Sequence, residues 1–173
     1  MPGVGQTVGV AAIDRSDVAR GRLIVLCGLP GSGKTTVARE LVDTVGAIRL
    51  CPDEWLTALQ INLYDEAGRA RVEALQQSLA TDLLRAGCTV VYESGGWTQA
   101  ERDALRDRAR GVGAAVELRF LDVSLDVLWA RISNRNNRLP VSTAAIARDD
   151  LLQWSQNLER PDLNEMSSYD GVV

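Results

Sequence analysis

Short, largely apolar runs alternate along this chain with stretches in which apolar residues recur every three or four positions. Leu23 to Cys27, Ala47 to Cys51, Cys88 to Tyr92 and Val116 to Leu121 are the runs, rich in Val, Ile and Leu and short enough to be strands buried on both faces. Helical spacing fills the intervals. Val37, Leu41 and Val45 predict a helix over 34–45, stopped by Gly46. Pro52 ends the second run, and Asp53-Glu54-Trp55 predicts a helical turn with Asp53 as its N-cap. A long helix is expected over 65–86, with Val72, Leu75, Leu79 and Leu83 on its inner face and Gly87 as its stop. Thr98 with Glu101 forms a capping box for a helix to Arg110, and Ser124 caps one carrying Leu125, Leu128, Trp129 and Ile132. A polar, arginine-rich segment, 134–138, leads to Pro140. The last helix is expected over 142–158 with Ile146, Leu151, Trp154 and Leu158 inward, and 170–173 reads as the start of a fifth strand. Strands alternating with helices in this way imply an α/β fold: a parallel sheet of four to five strands, helices on both faces and right-handed crossovers.

The length of 173 residues and 46% apolar content suit one domain, residues 21–173, preceded by an arm, 1–20, with a short apolar patch from Val8 to Ile13. The arm lacks the basic and long apolar regions of a secretory signal, and no stretch is apolar enough to span a bilayer. A formal charge of −4 offers polyanions no general attraction, which disfavours a nucleic-acid partner. Arg102, Arg106, Arg108 and Arg110 are interleaved with Glu101, Asp103 and Asp107 and read as a solvated helix face of mixed charge. Three cysteines without C-x-x-C spacing suit buried free thiols in a reducing, cytoplasmic setting. With no histidine in the chain, a general base must be a carboxylate or else a lysine, tyrosine or cysteine.

The chemistry starts at Gly28-Leu29-Pro30-Gly31-Ser32-Gly33-Lys34-Thr35-Thr36, which fits G-x-x-x-x-G-K-[ST] between a predicted strand and a predicted helix. Strand, glycine turn and helix N-terminus aim backbone N–H groups at one point, as a polyphosphate requires. The expected fold is thus the three-layer P-loop NTPase fold, with ATP and Mg²⁺ as cofactors. Lys34 is expected to reach the β- and γ-phosphates, and the Thr35 hydroxyl a Mg²⁺.

Ligands of parallel sheets sit beyond the carboxyl ends of the strands, which selects Asp53 with Trp55, Glu93 with Trp97, and Asp122. Asp53 is the candidate base for a proton leaving an acceptor hydroxyl, with a plain helix cap as the alternative. Glu93 is a candidate for the metal, alongside Thr35, or for the acceptor. Arg131, Arg135 and Arg138 lie on or beside a lid-like segment near 133–142; solvated surface arginines are the alternative. Trp55, Tyr64 and Trp97 are candidate walls of an acceptor pocket.

Residues 22–160 resemble the small P-loop kinases of the AAA-type ATP-binding-protein group, similar to zeta-toxin kinases, chloramphenicol phosphotransferase and the kinase domain of bacterial polynucleotide kinase. The phosphate loop carries most of the likeness. Cys51-Pro52-Asp53-Glu54-Trp55, the acidic end of the third strand with 97–102, and the segment from Ala130-Arg131 to Arg135-Asn136 carry the rest. The resemblance implies an aspartate base at Asp53, a catalytic phosphate-contacting arginine at Arg135 and a nucleotide contact at Arg131. It also shows a departure, because those proteins usually carry aspartate where this chain has Glu93. The activity implied is transfer of the γ-phosphoryl group of ATP to a hydroxyl of a small-molecule acceptor. The alternatives are a polynucleotide 5′-hydroxyl kinase and a non-catalytic ATP-binding switch.

Overall fold

A computed structural model describes residues 20–138 and 145–172. The expected arm, 1–20, lies outside it but for Arg20, as do residues 139–142 of the expected lid and 142–144 of the expected last helix. Five parallel strands form one sheet in the order β2-β3-β1-β4-β5, with β1 Arg22–Cys27, β2 Ile48–Leu50, β3 Thr89–Gly95, β4 Ala115–Phe120 and β5 Gly171–Val172. The expected fifth strand thus forms, as two residues paired with Glu117 and Leu118 of β4. Seven helices follow in chain order among the described residues: α1 Lys34–Val45, α2 Pro52–Ala58, α3 Glu66–Arg85, α4 Gln99–Arg110, α5 Leu125–Asn136, α6 Arg148–Asn157 and α7 Leu163–Ser167.

Strand β1 is central, and Ile24 to Cys27 are fully buried because helices cover both faces. On one face Ile24, Leu26 and Val91 pack against Ala38 and Leu41 of α1. On the other, Val25, Cys27, Tyr92, Val116 and Leu118 meet Ala80 and Leu84 of α3 and Leu105 and Ala109 of α4.

Four expectations change. Asp53 is not the N-cap of α2: Cys51 takes that place with an extended φ of −131°, and Pro52 supplies the first helical residue. Asp53 falls in the first turn, where the helix dipole favours its charge and its side chain is free for other partners. On α3 the buried row is Val72, Gln76, Ala80 and Leu84, whereas Leu75 is 62% exposed and Leu79 38%. Both rows satisfy four-residue spacing, and packing chose the one that admits Gln76. Helix α6 starts at Arg148, and residues 145–147 of the helix expected over 142–158 are not helical. The Asn136 side chain bonds the backbone of Ile146 on both sides, donating to its carbonyl (2.8 Å) and accepting from its N–H (3.4 Å), which holds that residue out of a helix.

The fourth change concerns α4. Arg108 and Arg110 are exposed, but Arg102 is fully buried. Its Nε and Nη2 donate to the two oxygens of Glu165 on α7 (2.6 and 2.7 Å), and its Nη1 donates to the Gly96 carbonyl (2.7 Å). A planar guanidinium with every direction occupied is the form in which a charge survives burial. The pair clamps the C-terminal segment to the turn that leaves β3. The Cys27 thiol, which also donates to the Gly96 carbonyl (3.1 Å), is pushed by burial up to about 11 and stays protonated.

Candidate active site

The phosphate loop runs from the end of β1 into α1 and is fastened at its root on both sides. Gly28 N–H donates to the Gly95 carbonyl at the end of β3 (3.1 Å), and Leu121 N–H donates to the Cys27 carbonyl (2.9 Å). Gly28 and Gly31 have φ of 149° and 82°. A Cβ on Gly28 would lie 2.9 Å from Ser32 Oγ, and one on Gly31 would lie 3.1 Å from Ile132 on α5. Glycine is therefore required at both for conformation and for space. The Lys34 ammonium donates to the Gly28 and Leu29 carbonyls (2.7 and 3.0 Å), so the loop itself holds its lysine over the cradle. Burial lowers the Lys34 pKa, against the pull of Glu93 and, more weakly, of Asp53. Glu93 near the end of β3 and Asp53 just past β2 lie at the same edge of the sheet as the loop that leaves β1. Ser32 Oγ is buried in this loop with no hydrogen-bond partner.

Beside the lysine, Thr35 Oγ1 donates to Glu93 Oε1 at 2.5 Å. Sequence makes Thr35 a metal candidate by its place in the loop motif and Glu93 a metal or acceptor candidate by its place at a strand end, and the fold brings the two into contact across the β1–β3 pair. The other Glu93 oxygen accepts from Arg49 Nε of β2 (2.6 Å), and Arg49 Nη1 donates to Glu54 (2.7 Å). Burial works against the Arg49 charge, but the hydrogen bonds to Glu54 and Glu93 outweigh it and hold the guanidinium more firmly protonated than usual. The Arg49 bond in turn holds Glu54 below the ordinary carboxylate range. Among the described residues no three His, Cys, Asp or Glu side chains converge into a metal cage. A hydroxyl and one carboxylate beside a phosphate cradle are nevertheless the hard-oxygen donors that Mg²⁺ uses when phosphates and water complete its shell. The unpaired Ser32 hydroxyl, the glycine cradle and this donor pair fit an ATP with Mg²⁺.

Asp53 accepts from Arg69 Nη2 of α3 (2.8 Å), and Arg69 Nη1 reaches Glu73 one turn on (3.5 Å). Burial raises the Glu73 carboxyl, and the Arg69 charge opposes the shift. Arg49, Arg69 and Glu73 were missed from sequence. The only signal was a charge inside the strand run for Arg49, and for the α3 pair an ordinary (i, i+4) spacing. Trp55 and Trp97 are half-buried against the core, and Trp97 meets Trp154 of α6 edge-on at 6.1 Å. Tyr64 is 72% exposed and lines nothing in the cleft. Asp122, past the end of β4, pairs with Arg160 (2.6 Å).

Of the arginines on α5, Arg131 is brought to the loop: its Nη1 donates to the Gly31 carbonyl (3.1 Å) and, less closely, to that of Ser32 (3.4 Å). Arg135, one turn later, is exposed, as is Arg138, and neither makes a side-chain hydrogen bond among the described residues. No described helix is long and apolar enough to cross a membrane.

A family model described as AAA domain matches residues 23–161. The shikimate kinase of Rhizobium leguminosarum bv. trifolii (strain WSM2304) is 32% identical over 137 residues, 76% of this chain and 67% of that protein. Among solved structures, the fold is similar to a chain of the Pnkp1/Rnl/Hen1 RNA repair complex, with a TM-score of 0.69 at 19% identity over 81% of this chain and 44% of that one. It is also similar to a gluconokinase from Sinorhizobium meliloti 1021, with a TM-score of 0.58 at 22% identity over 90% of this chain and 82% of that one.

Proposed function

We propose that this chain, which belongs to the AAA domain family and is a P-loop kinase, moves the γ-phosphoryl group of ATP to a hydroxyl of a small-molecule acceptor. One observation carries the reading: at the same carboxyl edge of the sheet, Thr35 of the loop helix meets Glu93 of β3 (2.5 Å), and Asp53, just past β2, is held by Arg69 through one carboxylate oxygen (2.8 Å), which leaves its other oxygen for an acceptor. A bare nucleotide-binding module would need the first and not the second.

In this reading the loop N–H groups and Lys34 bind the β- and γ-phosphates, and Thr35 and Glu93 hold Mg²⁺. When bound, Mg²⁺ neutralises charge developing on the transferred group. Asp53 accepts the acceptor's hydroxyl proton as that oxygen bonds to the γ-phosphorus and the bond to the β–γ bridging oxygen of the departing ADP breaks. Arg69 fixes Asp53 through one of its carboxylate oxygens and leaves the other for the acceptor hydroxyl. Arg131, already at the loop carbonyls, lies against the nucleotide, and Arg135 is the candidate to contact the phosphates from the lid. Trp55 and Trp97 line the acceptor side. The net charge of −4 favours a small acceptor over a polynucleotide.

The experiment is a transfer assay with labelled ATP over shikimate, gluconate, other sugars and polyols, nucleosides, antibiotics and a 5′-hydroxyl oligonucleotide. Asp53→Asn should slow transfer by about 10²- to 10⁴-fold while leaving ATP affinity unchanged. Full transfer by that variant would remove Asp53 from the mechanism. Tight ATP binding with no product from any acceptor would point to a switch, and product only from the oligonucleotide to a polynucleotide kinase.

A further inference from the structure

We infer that Arg49 is a positioning residue for Glu93, aiming its carboxylate at the metal-facing hydroxyl of Thr35; this rests on the kinase reading above. The register of the sheet makes the arrangement possible. Arg49 on β2 pairs with Val91 on β3, and Glu93 follows two residues later, so all three side chains fall on the face covered by α1, whose first turn carries Thr35. The Arg49 side chain lies along that face to the strand ends.

A glutamate side chain turns about several single bonds, so at a strand end it needs a second fixed point to hold one aim. Arg49 supplies it. The two oxygens of Glu93 are divided between Thr35 (2.5 Å) and Arg49 (2.6 Å), with the Arg49 and Glu93 side chains only 13% and 6% exposed. A guanidinium beside a cation site would ordinarily weaken it. Here Arg49 is shared with Glu54, so the three side chains together keep one negative charge and the carboxylate remains attractive to a divalent ion. Groups that orient a metal-facing ligand in this way typically change metal affinity by about 10- to 100-fold when removed.

The test is calorimetric titration of the full chain with ATP, in EDTA and at stepped Mg²⁺ concentrations, with thermal unfolding of each variant alongside. In the unaltered chain Mg²⁺ should tighten ATP binding. Arg49→Met should lose about tenfold or more of that gain, with affinity in EDTA unchanged within about twofold. Arg49→Lys, which can keep one bond to Glu93, should recover part of it. Glu54→Gln should lose less of the gain than Arg49→Met, because the charge it removes is half-exposed and screened by water; a loss as large as that of Arg49→Met would overturn the assignment of the positioning role to Arg49. Retention of the full Mg²⁺ gain by Arg49→Met, or an equal loss in EDTA and in Mg²⁺, would overturn the assignment. If Arg49→Met does not fold, Arg49→Lys decides: a reduced Mg²⁺ gain supports the assignment and an unchanged one overturns it. Absence of any Mg²⁺ gain in the unaltered chain would instead overturn the kinase reading on which the assignment rests.

Discussion

The phosphate loop takes its shape from nine consecutive residues, Gly28 to Thr36, whereas the proposed acceptor side is held by side chains from separate elements: Asp53 on α2, Arg69 and Glu73 on α3, and Trp97 beyond β3. The first is a backbone device. Its hydrogen-bonding groups are amides and carbonyls at fixed spacing, and its glycines are required by φ values and by the atoms a Cβ would strike. The second is a side-chain device, built of charges that compensate one another across the α2–α3 junction and therefore open to change without loss of the fold. One fold can thus keep its nucleotide while changing what it phosphorylates.

Three substitutions break or sharpen this contrast. Lys34→Met should have the largest effect, lowering transfer by about 10³-fold or more, because the charge facing the transferred group is lost at a preorganised site. The chain should still unfold cooperatively near the temperature of the unaltered protein, since the lysine bonds only loop carbonyls; a chain that fails to fold would make Lys34 structural. Next is Arg102→Met, read by denaturant unfolding. Leaving Glu165 buried and unpaired should cost about 3 to 5 kcal/mol. A loss under about 1 kcal/mol would mean that the clamp between the β3 exit and the C-terminal segment carries little of the stability. Smallest is Arg69→Gln, which should raise the acceptor KM about tenfold with ATP affinity unchanged, the loss of one charge-assisted hydrogen bond at a partly exposed site. A fall in ATP affinity with an unchanged acceptor KM would place Arg69 on the phosphate side and erase the contrast.

The same contrast explains what was legible beforehand. Every strand was foreseen within a few residues, because central parallel strands are apolar on both faces and leave continuous runs such as Leu23 to Cys27. The phosphate loop was legible in full, since its geometry demands particular residues at fixed spacing. The rule that ligands sit at strand ends selected Glu93 as well as Thr35, and the fold puts the two in hydrogen-bond contact. Arg102 was misread because interleaved charges on a helix look alike whether they meet water or a distant Glu165. Leu75 and Leu79 were misread because two adjacent rows of α3 share one periodicity.

Local sequence determined the strands, the glycine cradle and the lysine that closes it, because each depends on backbone torsions and on neighbours within a few residues. Only the tertiary structure decided that Arg49 would hold Glu93, that Arg69 would hold Asp53 and that Arg102 would be buried. Those partners lie 44, 16 and 63 residues apart in the chain. A charge carries no mark of its counter-ion. The pairing is set by strand register and helix packing, which bring the two ends within 3 Å and, for Arg49–Glu93 and Arg102–Glu165, exclude the water that would otherwise have served either of them.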